Sequence, residues 1–327
     1  MHKRNFRVQK SSFTDILEKA AEFVNNNKDF ITSVSTSPLY NDEPKLFSYA
    51  GTYNMQAKNP KYDYASGVSF DKNRALMKVL GEGLERYCLD NFDPNVASSS
   101  SVRKLHHPYL HPKEVSPFTE KQLLNDSFKR FRFTEQSNFN WTEGFSLTQH
   151  RKILIPTQLI SFTYDYLPHE PTIILPISTG AAAGSSLEDA LLRAIYEIIE
   201  RDSYMISYLN KIRSPKIQLN SVKNKKIKEI LNIFKRYKLE LIVLDLATDL
   251  KVPSFAALTI DTTGLGPAVS IGLKAGFDYI ESIIGAIEES LMTRSWIRDK
   301  FIYAEPNYKR KKEIIDIEDR AHFWFSV

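Results

Sequence analysis

One twelve-residue pattern occurs twice in this chain without a gap. It reads Ala75-Leu-Met-Lys-Val-Leu-Gly-Glu82-Gly-Leu-Glu85-Arg86 and, 115 residues later, Ala190-Leu-Leu-Arg-Ala-Ile-Tyr-Glu197-Ile-Ile-Glu200-Arg201. A short distance upstream of each copy stands a Ser/Thr-Gly element, Ser66-Gly67 and Ser178-Thr179-Gly180. At helical spacing, Leu76, Leu80 and Leu84 form one apolar stripe, and Leu191, Ile195 and Ile199 form its counterpart. The other face then carries Lys78, Glu82, Glu85 and Arg86, and in the second copy Arg193, Glu197, Glu200 and Arg201. A chain with such a repeat is expected to set the same helix twice around a shared centre.

A weaker third copy lies in the segment 277–300. Ile283, Ile287 and Leu291 match the stripe at an offset of 207 from the first copy, and Glu289 falls where Glu82 does. Met292 takes the place of the second carboxylate, and Arg294 follows two residues later.

The chain has 327 residues, 42% of them hydrophobic and 12% aromatic, enough for one large domain or two ordinary ones. The net charge of +5 is too modest to point to nucleic acid, and the lysine clusters at 223–228 and 309–312 read as solvated helix faces. A single cysteine, Cys88, excludes an internal disulfide and a cysteine-based zinc cluster; at the edge of the first stripe it reads as an inert core thiol. No stretch reaches the ~20 apolar residues of a membrane span, and no apolar segment follows the basic start. The expectation is a soluble, cytoplasmic protein.

Strands and helices interleave, giving an α/β chain. Helices are expected near 12–27, 71–92, 186–209, 222–237, 277–300 and 309–322. Strands are expected at 31–36, 46–53, 239–246, 253–260 and 267–273, with short ones between 139 and 177, including 152–155 and 173–177. Ser98 to Ser101 reads as a polar stretch leading into a connector. Ser185 with Glu188 forms a capping box for the second repeat helix. The apolar end, Ala-His-Phe-Trp-Phe-Ser-Val, suggests a natural domain that continues further.

Glu-x-x-Glu-Arg on one helix is ordinarily a solvated face with i,i+4 pairs. Repetition changes its meaning. Five carboxylates, Glu82, Glu85, Glu197, Glu200 and Glu289, facing one cavity would repel unless a cation neutralised them. Magnesium suits such oxygen ligands and keeps substrate phosphates in its shell. Arg86 and Arg201 would steady the carboxylates or meet phosphate. Thr179-Gly-Ala-Ala-Ala-Gly-Ser-Ser186 offers small residues before a capped helix, either a tight turn or an anion-binding loop, and it is not a Walker A sequence. His106, His107 and His111 lack companion ligands, and His322 reads as a packed histidine.

The paired motifs, with Ser-Thr-Gly-Ala-Ala-Ala-Gly ahead of the second, closely resemble the YcaO family. Leu80-Gly-Glu-Gly-Leu-Glu-Arg-Tyr-Cys88 and Tyr196-Glu-Ile-Ile-Glu-Arg-Asp202 carry the likeness, supported by Trp141-Thr-Glu-Gly144, Pro156 and the run Asp245 to Pro253. The resemblance covers most of the chain from about residue 30. It implies a YcaO-like fold with the Glu-bearing helices around a nucleotide site: a single domain over 1–327, with an N-terminal helix and strands at 1–60 and a nucleotide-binding core at 61–327.

It also implies an enzyme dependent on ATP and Mg2+ that activates backbone amides of a peptide by O-phosphorylation. The leading expectation is cyclodehydration of Cys, Ser or Thr to azolines in the maturation of a ribosomally made peptide. A thioamide-forming enzyme and a non-catalytic peptide-binding scaffold are the alternatives. Carried over by position, the metal set is Glu82, Glu85, Glu197, Glu200 and Glu289. The nucleotide contacts fall on Lys78, Arg86, Ser178, Gly180, Ala182, Asp189, Arg193, Arg201 and Arg294; no residue is singled out as the catalyst. Lys78, Ala182, Arg193 and Gly285 depart from the family pattern, the last where an Arg is usual. The implied partners are a precursor peptide and a leader-binding E1-like or ThiF-like protein (a sulfur-delivery partner if a thioamide forms), with homodimerisation and neither nucleic acid nor membrane.

Overall fold

The computed structural model describes residues 13–26, 30–37, 40–53, 64–91 and 98–302, together with Asp319 and Phe323. Nearly all of the helix expected at 309–322, and His322 with it, lies outside them. The described residues divide into two compact units. The first takes chain from 1–52, 64–83 and 179–327, the second from 53–63 and 84–178.

The first unit holds two three-stranded sheets. β1 (Ile31–Thr36), β2 (Phe47–Tyr53) and β3 (Tyr64–Ser69) pair in the order β1-β2-β3, and β7 (Leu239–Asp245), β8 (Ser254–Asp261) and β9 (Val269–Ala275) in the order β7-β8-β9. β2 and β3 run antiparallel, as do all neighbours in the second sheet, with Ala50 opposite Ser66 and Ala257 opposite Gly272. β3 and β9 are therefore edge strands, with one row of N–H groups facing away from their sheets.

Around these sheets run α1 (Phe13–Asn26), α2 (Lys72–Asp90), which begins in the first unit, and, beyond the second unit, α5 (Leu187–Leu209), α6 (Lys225–Arg236) and α7 (Tyr279–Ile302). The main core joins Val243, Phe255 and Ala257 of β7 and β8 to Ile227, Ile230 and Phe234 of α6 and to Ile283, Ile284, Ile287 and Leu291 of α7.

The second unit contains β4 (Ser98–Ser101), β5 (Asn138–Ser146) and β6 (Arg151–Pro156), with the short helices α3 (Pro112–Val115) and α4 (Glu120–Leu123). Its core is Val102, Phe139, Trp141 and Ile173. The polar stretch Ser98 to Ser101 is a strand: it pairs along β5, and Ser100 O accepts from the Trp141 indole N–H at 2.9 Å. The segment 173–177 forms no strand, because the Ile173 N–H is taken by the Gln158 side chain at 2.7 Å.

The repeat is real, but its three helices bury different faces. α7 buries Ile283, Ile287 and Leu291, as the stripe requires. α2 buries Ala75, Val79 and Gly83 instead, and its leucines lie at the flanks. A Cβ on Gly67 of β3 would lie 2.1 Å from Ala75 O and 2.6 Å from Val79 N, so helix and strand are too close for leucine between them. α5 departs furthest. Its buried residues are Glu200 and Ser203, whereas Leu192, Ile195, Ile198 and Met205 are exposed.

Candidate functional site

Each helix carries its glutamate to a backbone N–H of an edge strand or loop. Ser66 N of β3 donates to Glu82 Oε2 at 2.8 Å, and Leu273 N of β9 donates to Glu289 Oε2 at 3.0 Å. Strand donor and helix acceptor stand sixteen residues apart in both cases, which is the 207-residue offset expressed as geometry. In the second copy Gly180 N, before α5, donates to Glu197 Oε2 at 3.4 Å. Ala275 N, two residues beyond Leu273 on the same edge of β9, donates to Glu200 Oε2 at 3.2 Å. Glutamates from two helices thus cap neighbouring orphan donors of one edge strand.

The second oxygens of Glu200 and Glu289 turn to Arg201. Arg201 Nε lies 3.5 Å from Glu200 Oε1, and its terminal nitrogen 3.9 Å from Glu289 Oε1. Burial and the neighbouring Glu200 push Glu289 up to about 7, against the pull of Arg201, the Leu273 N–H and Lys274. Burial raises Glu197 as well, with Glu200 acting in the same direction and Arg201 against it.

Glu200 therefore acts on both Glu197 and Glu289. Glu82 joins the assembly indirectly: Ser66, which holds it, also places its hydroxyl 3.7 Å from Met292 Sδ on α7. Glu85 and Arg86 lie on α2 in the second unit, where Arg86 pulls the pKa of Asp90 down against the raising effect of its burial. Ser178 ends the second unit. Among the described residues, no three His, Cys, Asp or Glu side chains converge as a ready-made coordination sphere. The donor chemistry suits a hard divalent ion, with oxygens only and one carboxylate pushed toward its protonated form by burial and by the neighbouring Glu200.

The glycine-rich loop is shaped for close approach. Gly180 has φ +92°, and a Cβ on Gly184 would fall 2.3 Å from Ala190 N in the first turn of α5. The helix begins one residue later than expected: Ser186 is its N-cap, accepting from Asp189 N at 3.3 Å. Asp189, rather than Glu188, reaches back to Ser185 N at 2.9 Å. Ala182 is half-buried in the loop, and a Cβ on Gly81 of α2 would approach Ala183 to 3.9 Å.

Several expected nucleotide contacts are committed elsewhere. Arg294 is 2% exposed, pairing with Glu43 and Asp261 at 2.7 Å each and donating to Pro267 O. It is a core residue, and phosphate cannot reach it. Lys78 pairs with the buried Glu288 at 2.7 Å and donates to Val68 O at 2.8 Å. Arg193 pairs with Asp189 at 3.0 Å. Burial opposes ionisation of Asp189, yet its bonds from Ser185 and Arg193 hold its pKa below the usual range. Both are thereby occupied in fixing the loop to α5. Cys88 is exposed, not packed in the core, although partial burial raises its pKa and keeps the thiol protonated.

Sequence reasoning missed Lys274. It extends from β9 between the two capped N–H groups, its stem lies against Gly285 of α7, and its charge acts on Glu197 and Glu289. The signal available was Gly285 itself, a helical residue without the side chain its counterparts carry.

Known proteins share this arrangement of elements. Residues 66–327 match the family model described as YcaO cyclodehydratase, ATP- and Mg2+-binding. An uncharacterized protein of Methanothermobacter thermautotrophicus is 25% identical over 272 residues, which cover 80% of this chain and 65% of that protein. The chain thus spans just under two thirds of that relative's length. Among solved structures, a heterocyclase in complex with substrate and cofactor superposes with a TM-score of 0.80 at 21% identity, over 97% of this chain and 43% of the other. The YcaO protein of Methanopyrus kandleri, bound with AMPPCP and Mg2+, gives 0.59 at 16% identity, over 86% and 67%. At these identities the two structural likenesses are of fold.

Proposed function

The chain belongs to the YcaO family, and from that footing we propose that it uses ATP and Mg2+ to activate backbone amides of a peptide by O-phosphorylation. The product assigned in this reading is an azoline, formed from Cys, Ser or Thr during maturation of a ribosomally made peptide. The observation that carries the reading is the convergence of Glu200 and Glu289 on neighbouring N–H groups of β9 and on Arg201, beside a loop of small residues packed on the first turn of α5.

Bound Mg-ATP would supply the phosphoryl group and the charge neutralisation that such chemistry demands. Glu200 and Glu289 would hold the metal, with Glu197 behind them, and Arg201 would keep the pair oriented. Glu82 and Glu85 belong to the same proposed set, with Arg86, Ser178 and Gly180 on the nucleotide. Water exclusion and orientation of the peptide fall to a leader-binding E1-like or ThiF-like partner. The exposed apolar residues of α5 support association, here assigned to a homodimer.

Calorimetric titration with a non-hydrolysable ATP analogue tests this directly. Binding is expected with Mg2+ and not without it. Glu200→Gln should weaken it roughly 10- to 100-fold, the worth of one charged contact, while leaving a folded chain. Absence of binding in the unmodified protein would sink the reading and leave a peptide-binding scaffold in its place.

A further inference from the structure

The cations expected at the nucleotide are largely spent. Lys78 is on Glu288, Arg193 on Asp189, and Arg294 is buried between Glu43 and Asp261. Arg201 is held between Glu200 and Glu289. Lys274 differs from all of them. It is exposed and, among the described residues, makes neither a hydrogen bond nor an ion pair, although its charge reaches Glu197 and Glu289.

Its position is built rather than incidental. Gly272 and Lys274 point to the same face of β9. At Gly272 the strand and α7 meet so closely that a Cβ would lie 2.2 Å from Ala286 O. At the residue before Ala286, Gly285 leaves a slot into which the lysine stem fits: a Cβ there would lie 3.0 Å from Lys274 Cγ and 3.3 Å from its Cδ. Glycine within a helix costs roughly 0.5–1 kcal/mol relative to alanine, and the seated stem is what occupies the vacated space. The Leu273 and Ala275 N–H groups on either side of the lysine are fixed by Glu289 and Glu200, and the charge of the lysine acts on Glu289 and Glu197.

We propose that Lys274, seated by Gly285, is the residue that contacts the distal phosphates of the nucleotide. A lysine ammonium is a compact charge suited to phosphate oxygens, and here it would meet them without first breaking an internal ion pair. The assignment rests on the nucleotide-site reading above.

Lys274→Met keeps the stem and removes the charge. Calorimetry should show binding of Mg2+ with the ATP analogue weakened roughly 10- to 100-fold and binding of AMP unchanged, with the chain still unfolding in a cooperative transition. Gly285→Leu should reproduce the defect by displacing the stem, and the double variant should be no worse than Lys274→Met alone. Unchanged analogue binding in Lys274→Met overturns the assignment while leaving the nucleotide site intact. An equal loss for AMP and the analogue also overturns it, reducing Lys274 to a general surface charge. If the unmodified protein binds no nucleotide, both readings fall together. Should Gly285→Leu misfold, Lys274→Met decides alone.

Discussion

Glu289 carries the sharpest consequence at the scale of one residue. Its folded pKa of about 7 lies above the usual carboxylate value, so between the two the folded chain holds a proton that the unfolded chain has lost. Stability therefore falls as pH rises through that window, fully retained below the ordinary glutamate range and lost above about 7. Thermal unfolding at pH 5 and pH 7.5 should show this loss in the metal-free protein. Glu289→Gln should abolish most of it and raise Tm at pH 7.5, by about 2–4 °C for each kcal/mol relieved. Added Mg2+ should lift the unmodified protein at pH 7.5 and do less for the variant. A flat profile in the unmodified protein would show that Arg201 already neutralises the pair. Glu197 titrates in the same direction and broadens the window rather than opposing it.

The elements repeat a contact more faithfully than they repeat a hydrophobic stripe. β3 with α2 and β9 with α7 share close strand–helix packing at a glycine and a glutamate sixteen residues past the donor it caps. Close packing of this kind tolerates no added atom. Gly272→Ala should destabilise the chain by about 1–3 kcal/mol or more through overpacking, read as a lower urea midpoint with an unchanged slope. An unaffected midpoint would mean that α7 can shift away from β9 without cost. α5 follows a different logic: its carboxylate face turns inward to β9, and much of its apolar face stays exposed. Hydrophobic periodicity locates such a helix but misassigns the side it buries.

At the scale of the whole molecule, a buried ion network anchors the stretch around residue 43 to α7 and β8. Arg294 joins Glu43 to Asp261, and Arg298 joins Glu43 to Asp42 while lying 4.1 Å from the Tyr40 ring centre. Removing one partner strands the others in the interior. Arg294→Met should cost about 3–5 kcal/mol, while nucleotide affinity in the folded fraction stays as in the unmodified protein. A binding defect without loss of stability would return Arg294 to the nucleotide site. The same network sets the acid limit. The bond and charge of Arg298 hold the Asp42 pKa below its usual value. Asp261 is lowered too, its bonds to Thr263 and Arg294 outweighing its burial. The stability these two contribute is present above the ordinary aspartate range and lost as pH falls through their depressed values. Acid titration of Tm should be steeper in the unmodified chain than in Arg294→Met.

Sequence alone determined the repeat, the helices that bear it, most strand positions and the spacing of the repeated glutamates, because periodicity and residue type are local properties that survive in one dimension. It also carried the family, since Glu82, Glu197, Glu200 and Glu289 keep their spacing whatever surrounds them. Tertiary structure decided what spacing cannot express. Close approach at Gly67 and Gly272 set which helix face is buried. The free edge of β9 drew Glu200 and Glu289 to neighbouring donors. Partner choice separated Arg294, buried between two carboxylates, and Lys78, paired with the buried Glu288, from the exposed Lys274. A cation's role follows from which carboxylate it meets first, and that is a distance between segments far apart in the chain.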